Sequence, residues 1–300
     1  MAFLHAATSS HGDSKSALRT RGLTPYLLLA PGMLWLITFF IIPIFSLAST
    51  STMVRPDGAP LGQYVQKFRF QNYVDAFQAN QAQYLRSFLY AGIATLLALA
   101  IAYPLAYMIA FRAGRFRNVL LVMVVAPFFT SFLLRTIAWT QILGDDGPVV
   151  SFLKSLPFVT DSLRLTATPF AVVSGLTYNF LPFMTLPLYA SLERIDPRTL
   201  EAAGDLYANA FTTFRKVTVP LSMPGVVAGT LLTFIPAAGD YVNASILGNP
   251  NTKMIGNVIE SRFFAVVDYP TAAALSFTLM ATILILVTLY IRRSGTDELV

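Results

Sequence analysis

Six apolar runs of about 20 residues or more set the limits on what this chain can fold into. They cover residues 26–49, 88–111, 119–143, 167–192, 226–247 and 272–291. At 1.5 Å of rise per residue, a helix of that length crosses the roughly 30 Å hydrocarbon layer of a bilayer. None of the runs alternates apolar and polar residues as a membrane barrel strand does. Arg135 and Asp240 are the only acidic or basic side chains inside them. Pro31, Pro43, Pro104, Pro127, Pro182, Pro187 and Pro236 also lie inside the runs. Packed membrane helices tolerate such prolines, because neighbouring helices satisfy the backbone groups they free. The pattern predicts an all-α, polytopic membrane protein with six transmembrane helices. The membrane domain covers 25–292, between an N-terminal tail, 1–24, and a C-terminal tail, 293–300.

Composition removes the alternatives. Charged residues make up 12% of the chain, against about 25% in ordinary soluble domains, too few to cover a soluble surface. The net charge of +6 is carried by basic residues in short segments between apolar runs, where membrane orientation rather than nucleic acid is the cause. With no cysteine, and with His5 and His11 both in the N-terminal tail, neither thiol catalysis nor a histidine metal site can be built within the membrane. No paired acids or nucleophile–base set lie in the runs. That tail places Lys15, Arg19 and Arg21 before the first apolar run, as a secretory signal would. The run itself exceeds the 7–15 residue core of a cleavable signal, so it is read as an uncleaved first span.

Orientation follows from lysine and arginine in the flanks. The two tails and the segments after the second and fourth runs carry twelve, and the opposite side carries eight. Both termini and the loop 193–220 are therefore expected in the cytoplasm. That loop carries helix signals of its own. Asp196 stands before Pro197 as a capping residue before proline at the first helical position. Glu201, Ala202 and Ala203 continue the helix with good formers, and Pro220 and Pro224 end it before the fifth run. On periodicity alone, an amphipathic connector lying on the membrane explains the loop equally well.

The residues themselves shift that balance. Glu201-Ala202-Ala203, followed by Asp205-Leu206 and by Val217, Val219 and Pro220, resembles the EAA loop of binding-protein-dependent importer permeases. Tyr207 stands where that family usually has glycine. Two further stretches resemble a narrower branch, the spermidine/putrescine importer permeases, and within it the first of two paired permeases. One runs from Pro127-Phe128-Phe129-Thr130-Ser131 to Trp139, then Gly144 and Gly147; the other runs from Pro236 through Asp240-Tyr241 to Gly248, then Met254-Ile255-Gly256-Asn257.

The resemblance implies the transmembrane domain of a type I ABC importer in a bacterial inner or plasma membrane. It implies that Glu201, Ala202, Ala203, Asp205, Tyr207 and Pro220 form the site of coupling to a separate ATPase. The implied partners are a second homologous permease, two ATP-binding subunits, an extracytoplasmic solute-binding protein and the lipid bilayer, with a polyamine as cargo. The chain has no GxxxxGK[ST] loop, so ATP and magnesium are expected on the ATPase, with no cofactor held here. The same machine with another cargo, such as ferric ion, a sugar or an oxyanion, remains a rival. A stand-alone ion-coupled carrier is a second rival, although no inverted repeat is visible.

Asp240 is the candidate substrate contact. A carboxylate within a span costs about 2.5–3.5 kcal/mol on insertion scales, so it is expected to face a cavity or a partner. Pro236 and Gly239 before it loosen the helix and free carbonyls. Asp240, with Tyr241 and Asn243, suits a passing polyammonium ion by charge, hydrogen bonds and cation–π contact. Tyr178 and Asn179, beside Pro182 in the fourth run, are candidates for the same path. Two other readings stay open: Asp240 paired with Arg135 as a structural ion pair, and Arg135 snorkelling to the outer interface from about 24 Å along the third span.

Overall fold

The computed structural model describes residues 24–157, 159–160 and 162–294. The basic residues of the N-terminal tail and most of the C-terminal tail lie outside them. The chain divides into two compact units, one ending at Leu47 and the other beginning at Ala48.

In the first unit, α1 (Thr24–Leu36) passes through a π-helical turn, Ile37–Ile41, into α2 (Ile42–Ser51). Every side chain from Tyr26 to Leu47 is exposed. Trp35 and Phe39, one helical turn apart, lie with ring centroids 4.2 Å from each other.

The second unit opens with a short antiparallel ribbon, β1 (Met53–Val54) against β2 (Val65–Gln66), with Met53 opposite Gln66. After α3 (Gln71–Ala79) comes α4 (Gln81–Phe111), the longest helix. Its core-facing stripe is alanine. Ala91, Ala94, Ala98, Ala102 and Ala106 recur at three- and four-residue steps and are all fully buried. Where lipid replaces water there is little hydrophobic drive between helices, so association depends on small residues that let backbones approach. The helices packed on this stripe are α8 (Pro169–Glu193) and α12 (Met223–Ala238). Gly225 and Gly229 of α12 perform the same service against α8. A Cβ on Gly225 would meet the Pro187 carbonyl at 2.7 Å, and one on Gly229 the Met184 sulfur at 2.8 Å.

Between these lie α5 (Arg117–Val125), α6 (Phe132–Ile142) and α7 (Pro148–Lys154). After α8 come α9 (Pro197–Asp205), α10 (Ala210–Thr213) and α11 (Val219–Leu221). After α12 come α13 (Val242–Leu247), α14 (Ile255–Glu260) and α15 (Tyr269–Ser294), and α15 packs on α3 and α14.

Among the described residues, four helices are long and apolar enough to cross a membrane, and the count reaches six when each of two bent pairs is taken as one span. The expected third and fifth spans are the bent ones. The third turns by 98° between Phe129 and Phe132. Pro127 tightens the preceding turn, Ala126–Phe129, into a 3₁₀ helix, and Thr130 and Ser131 then leave helical geometry at ψ 151° and 135°. The approach to the fifth turns by 62° at Ser222, between Pro220 and Pro224. There the Ser222 hydroxyl donates to the Val219 carbonyl at 3.0 Å, so the Tyr103 hydroxyl of α4, 2.7 Å away, donates to Ser222.

Candidate functional site

The fifth apolar run does not continue as one helix through Asp240. α12 ends at Ala238, and α13 begins at Val242. Asp240 lies in the break and is 8% exposed. Its Oδ1 accepts the Asn243 backbone N–H at 2.8 Å, closing the first turn of α13 as a capping carboxylate does. Among the described residues no ion pair joins Asp240. The structural pair with Arg135 is therefore not formed, and the bend at Thr130 and Ser131 is the reason. Arg135 sits in the first turn of α6, not 24 Å along a straight span, and its guanidinium carbon lies 5.7 Å from the ring centroids of both Phe128 and Phe132. Its Nε and Nη1 are buried without a hydrogen-bond partner among the described residues, with the head against the two rings.

The break is supported by a segment to which no role had been given. A Cβ on Gly256 would meet the Gly239 carbonyl oxygen at 2.5 Å and the Asp240 carbonyl oxygen at 2.9 Å, so only glycine allows α14 to start this close. Next to it, Asn257 Nδ2 donates to the Tyr241 carbonyl at 2.8 Å and to Ser245 Oγ at 2.7 Å, while its Oδ1 accepts from Met254 N at 2.9 Å. The Tyr241 carbonyl, which also accepts the Ser245 N–H at 2.9 Å, is thus satisfied within the chain rather than left to line a pore. Ile255 N donates to Ser87 Oγ of α4 at 2.8 Å, which ties the whole support to the core. The block Met254-Ile255-Gly256-Asn257 stood out in the sequence, but its partners are non-local and nothing in the string names them.

Asn243 and Asn179 are brought together. Asn179 Nδ2 donates to Asn243 Oδ1 at 3.0 Å and to Thr136 Oγ1 at 3.2 Å, joining α8 to α13 and α6. Thr136 already donates its one proton to the Phe132 carbonyl, which fixes the orientation of the Asn179 amide. Asn179 Oδ1 and Asn243 Nδ2 are left buried without partners among the described residues. Helix spacing here is set by Gly175, where a Cβ would meet Leu247 Cδ1 at 2.4 Å and Asn243 Oδ1 at 2.8 Å. Tyr178, on the same helix, is half-buried with its ring 5.4 Å from Trp139, and Tyr241 is 47% exposed. Asp240, Asn243 and Asn179 therefore form one buried polar junction, with Tyr178 and Tyr241 more open.

The second candidate site is the loop that ends at Pro220. Asp196 caps α9 as its sequence position predicts, its Oδ1 accepting from Arg198 N at 2.9 Å. The two alanines of the motif face opposite ways: Ala203 is buried against the body of the chain, and Ala202 is exposed. Glu201, Asp205, Leu206 and Tyr207 share the exposed side. Leu206 is 82% exposed and Tyr207 is 99% exposed. Tyr207 has a φ of 58°, in the left-handed region. It fills the position after the helix end, with Ala208 N donating to the Ala203 carbonyl at 3.1 Å, the long bond of a Schellman turn. The turn usually made by glycine is thus made here by tyrosine. Pro220 lies in α11, immediately before the 62° bend.

Both sites fall within the stretch that a known family matches. Residues 102–294 match the sequence profile of the family described as "Binding-protein-dependent transport system inner membrane component". The chain is 38% identical over 259 residues, 86% of its length and 90% of the relative's, to the spermidine/putrescine transport system permease protein PotB of Haemophilus influenzae. It is 35% identical over 261 residues to the protein of the same name in Escherichia coli K12, covering 87% of this chain and 94% of that one. Among solved structures, a chain of a bacterial alginate ABC transporter in complex with an alginate pentasaccharide-bound periplasmic protein superposes with a TM-score of 0.73 at 18% identity. That match covers 92% of this chain and 95% of the other, and it bears on the fold alone.

Proposed function

The chain belongs to the family of inner membrane components of binding-protein-dependent transport systems, and from that premise we propose that it is the polyamine-conducting permease subunit of an ATP-driven importer. The relatives of 35–38% identity named as spermidine/putrescine permeases support the cargo. The observation that carries it is Asp240. A buried carboxylate with no ion-pair partner among the described residues is a costly group in a membrane protein, and a passing polyammonium ion offsets that cost. Tyr241, partly open beside it, adds an aromatic face for the same cation. Tyr178, Asn179 and Asn243 continue the polar surface as the spans part.

Energy enters at the other site. The exposed side of α9, with Glu201, Ala202, Asp205 and the bare Leu206 and Tyr207, docks on a cytoplasmic ATPase. Large exposed apolar side chains at the end of a short helix are what a partner groove covers. ATP and magnesium act on that ATPase. The full assembly contains this permease, a homologous second one, two ATP-binding subunits and an extracytoplasmic binding protein, in a bacterial inner membrane with both termini of this chain in the cytoplasm. Closure of the ATPase pair moves α9, and the bent spans swing the junction from one side to the other.

The test is uptake by the assembly reconstituted in proteoliposomes. Labelled spermidine or putrescine should accumulate only with ATP and the loaded binding protein, and neither a sugar nor ferric ion should compete. ATP-dependent uptake of one of those in place of the polyamine would overturn the cargo.

A further inference from the structure

The root of α9 is fastened to the start of α5 by a contact that the two sites above do not use. Arg117 is the first residue of α5, just after the 3₁₀ turn Gly114–Phe116. Its Nη2 forms an ion pair with Glu193 Oε1, and its Nε donates to the Tyr189 hydroxyl. The guanidinium carbon also lies 5.1 Å from the Tyr189 ring centroid. Glu193 is the last residue of α8, three positions before the Asp196 cap of α9. One planar, forked head thus holds both the end of α8 and the start of α5, a geometry that lysine cannot reproduce.

Beneath the clasp lies an apolar cluster that includes the same elements. Ile109, Leu188, Tyr189, Leu192 and Ile195 are buried in it, and Leu200 of α9 packs against it. α9 therefore does not hang from a free loop. Its inner side rests on the cluster, and Arg117 closes the edge of that cluster. The ion pair itself is partly open, with side-chain exposures of 35% and 42%, and a pair of that kind adds little to stability. Its contribution is geometric.

We propose that Arg117, with Tyr189 and Glu193, is a positioning device for energy coupling: it makes α5 and the root of α9 move as one piece, so that displacement of α9 is passed to the bent third span that carries Thr136. This rests on the importer reading above. Coupling of this kind needs an element whose arrangement both sites bias, and the clasped pair α5 and α8 is that element.

The experiment uses the complete reconstituted assembly, with Arg117→Glu, Glu193→Arg, the double exchange and Arg117→Lys. Basal ATP hydrolysis should persist in all four. In the single reversals, polyamine taken up per ATP hydrolysed should fall about tenfold, within the usual range of coupling between sites. The double exchange should restore most of that ratio, and Arg117→Lys, which keeps charge but loses the fork, should fall between. A wild-type ratio in both single reversals would overturn the proposal. So would an unrestored ratio in the double exchange when the complex is assembled and as heat-stable as wild type. If the unaltered assembly hydrolyses ATP but moves no polyamine, the cargo reading fails instead, and the clasp is judged on the solute the assembly does move.

Discussion

Two of the places where this chain leaves regular helix are finished in opposite ways. At Gly239–Tyr241 the break is buried at Asp240 and open at Tyr241, and the chain completes its polar groups from within. Asp240 caps α13, Asn257 takes the Tyr241 carbonyl, and Gly256 leaves room for both. At the end of α9 the turn is bare, with Leu206 and Tyr207 almost wholly exposed. A buried break must satisfy its polar groups where it stands, because unmet ones are costly away from water. An exposed turn has no such need, so apolar groups left bare there imply a second surface. On the proposed function, cargo passes the first place and the ATPase covers the second.

The comparison is broken most severely by removing the one charge of the buried junction. Asp240→Asn keeps the volume and an oxygen for the Asn243 N–H, so the cap survives. What it loses is the charge-assisted bond to the cargo, about 2 kcal/mol, or about thirty-fold in uptake at subsaturating polyamine. Thermal unfolding of the purified complex should be unchanged. Because Arg135 lies against Phe128 and Phe132 instead of Asp240, adding Arg135→Gln should not rescue uptake. Rescue by that second change, or wild-type uptake in Asp240→Asn, would end the reading of Asp240 as a cargo contact.

The two alanines of α9 sharpen the contrast, since they are neighbours of which one is exposed and the other buried. Ala203→Leu pushes a larger side chain into the body of the chain and should lower stability by about 1–3 kcal/mol, the usual cost of overpacking. Ala202→Trp projects from the exposed side, so the heat stability of the permease should hold while copurification of the ATPase is lost. Equal effects of the two on stability and on ATPase association would mean that α9 has no docking face.

Much of this was legible in the string because the signals are local. The apolar runs, the Asp196 cap and the helix over Glu201, Ala202 and Ala203 depend on neighbours within a few residues. Pro236 and Gly239 marked a loosened helix, and it is broken three residues after Pro236. The bends were not legible. Pro127 is tolerated in many membrane helices, and only the extended geometry at Thr130 and Ser131 turns this one by 98°. The bend turns Arg135 off the straight axis and against Phe128 and Phe132, so of the two readings open for it the pair with Asp240 is not formed. Asn257 reaches Ser245 and Tyr241 across gaps of 12 and 16 residues, and Thr136 meets Asn179 across 43, beyond the reach of periodicity. The side of α9 that faces outward was also hidden, because adjacent alanines carry no hydrophobic contrast.

The smallest expected effect lies at the exposed turn and concerns Tyr207. Its φ of 58° places a Cβ-bearing residue in left-handed geometry, which costs about 1–2 kcal/mol for residues other than glycine. Glycine takes this position in most Schellman turns because it escapes that cost. Tyr207→Gly should therefore relax the turn, offset in part by the extra freedom glycine gains in the unfolded chain, for a net stabilisation of about 0.5–1 kcal/mol. The Tyr207 ring is 99% exposed, so no packing within the chain is given up. If the ring is retained for the partner surface, the variant should be more heat-stable as a permease yet hold the ATPase less tightly. Thermal unfolding of the isolated permease and retention of ATPase on the immobilised permease measure the two separately. A gain in stability with unchanged retention would show that tyrosine is merely tolerated there, and the partner surface would then rest on Glu201, Ala202, Asp205 and Leu206.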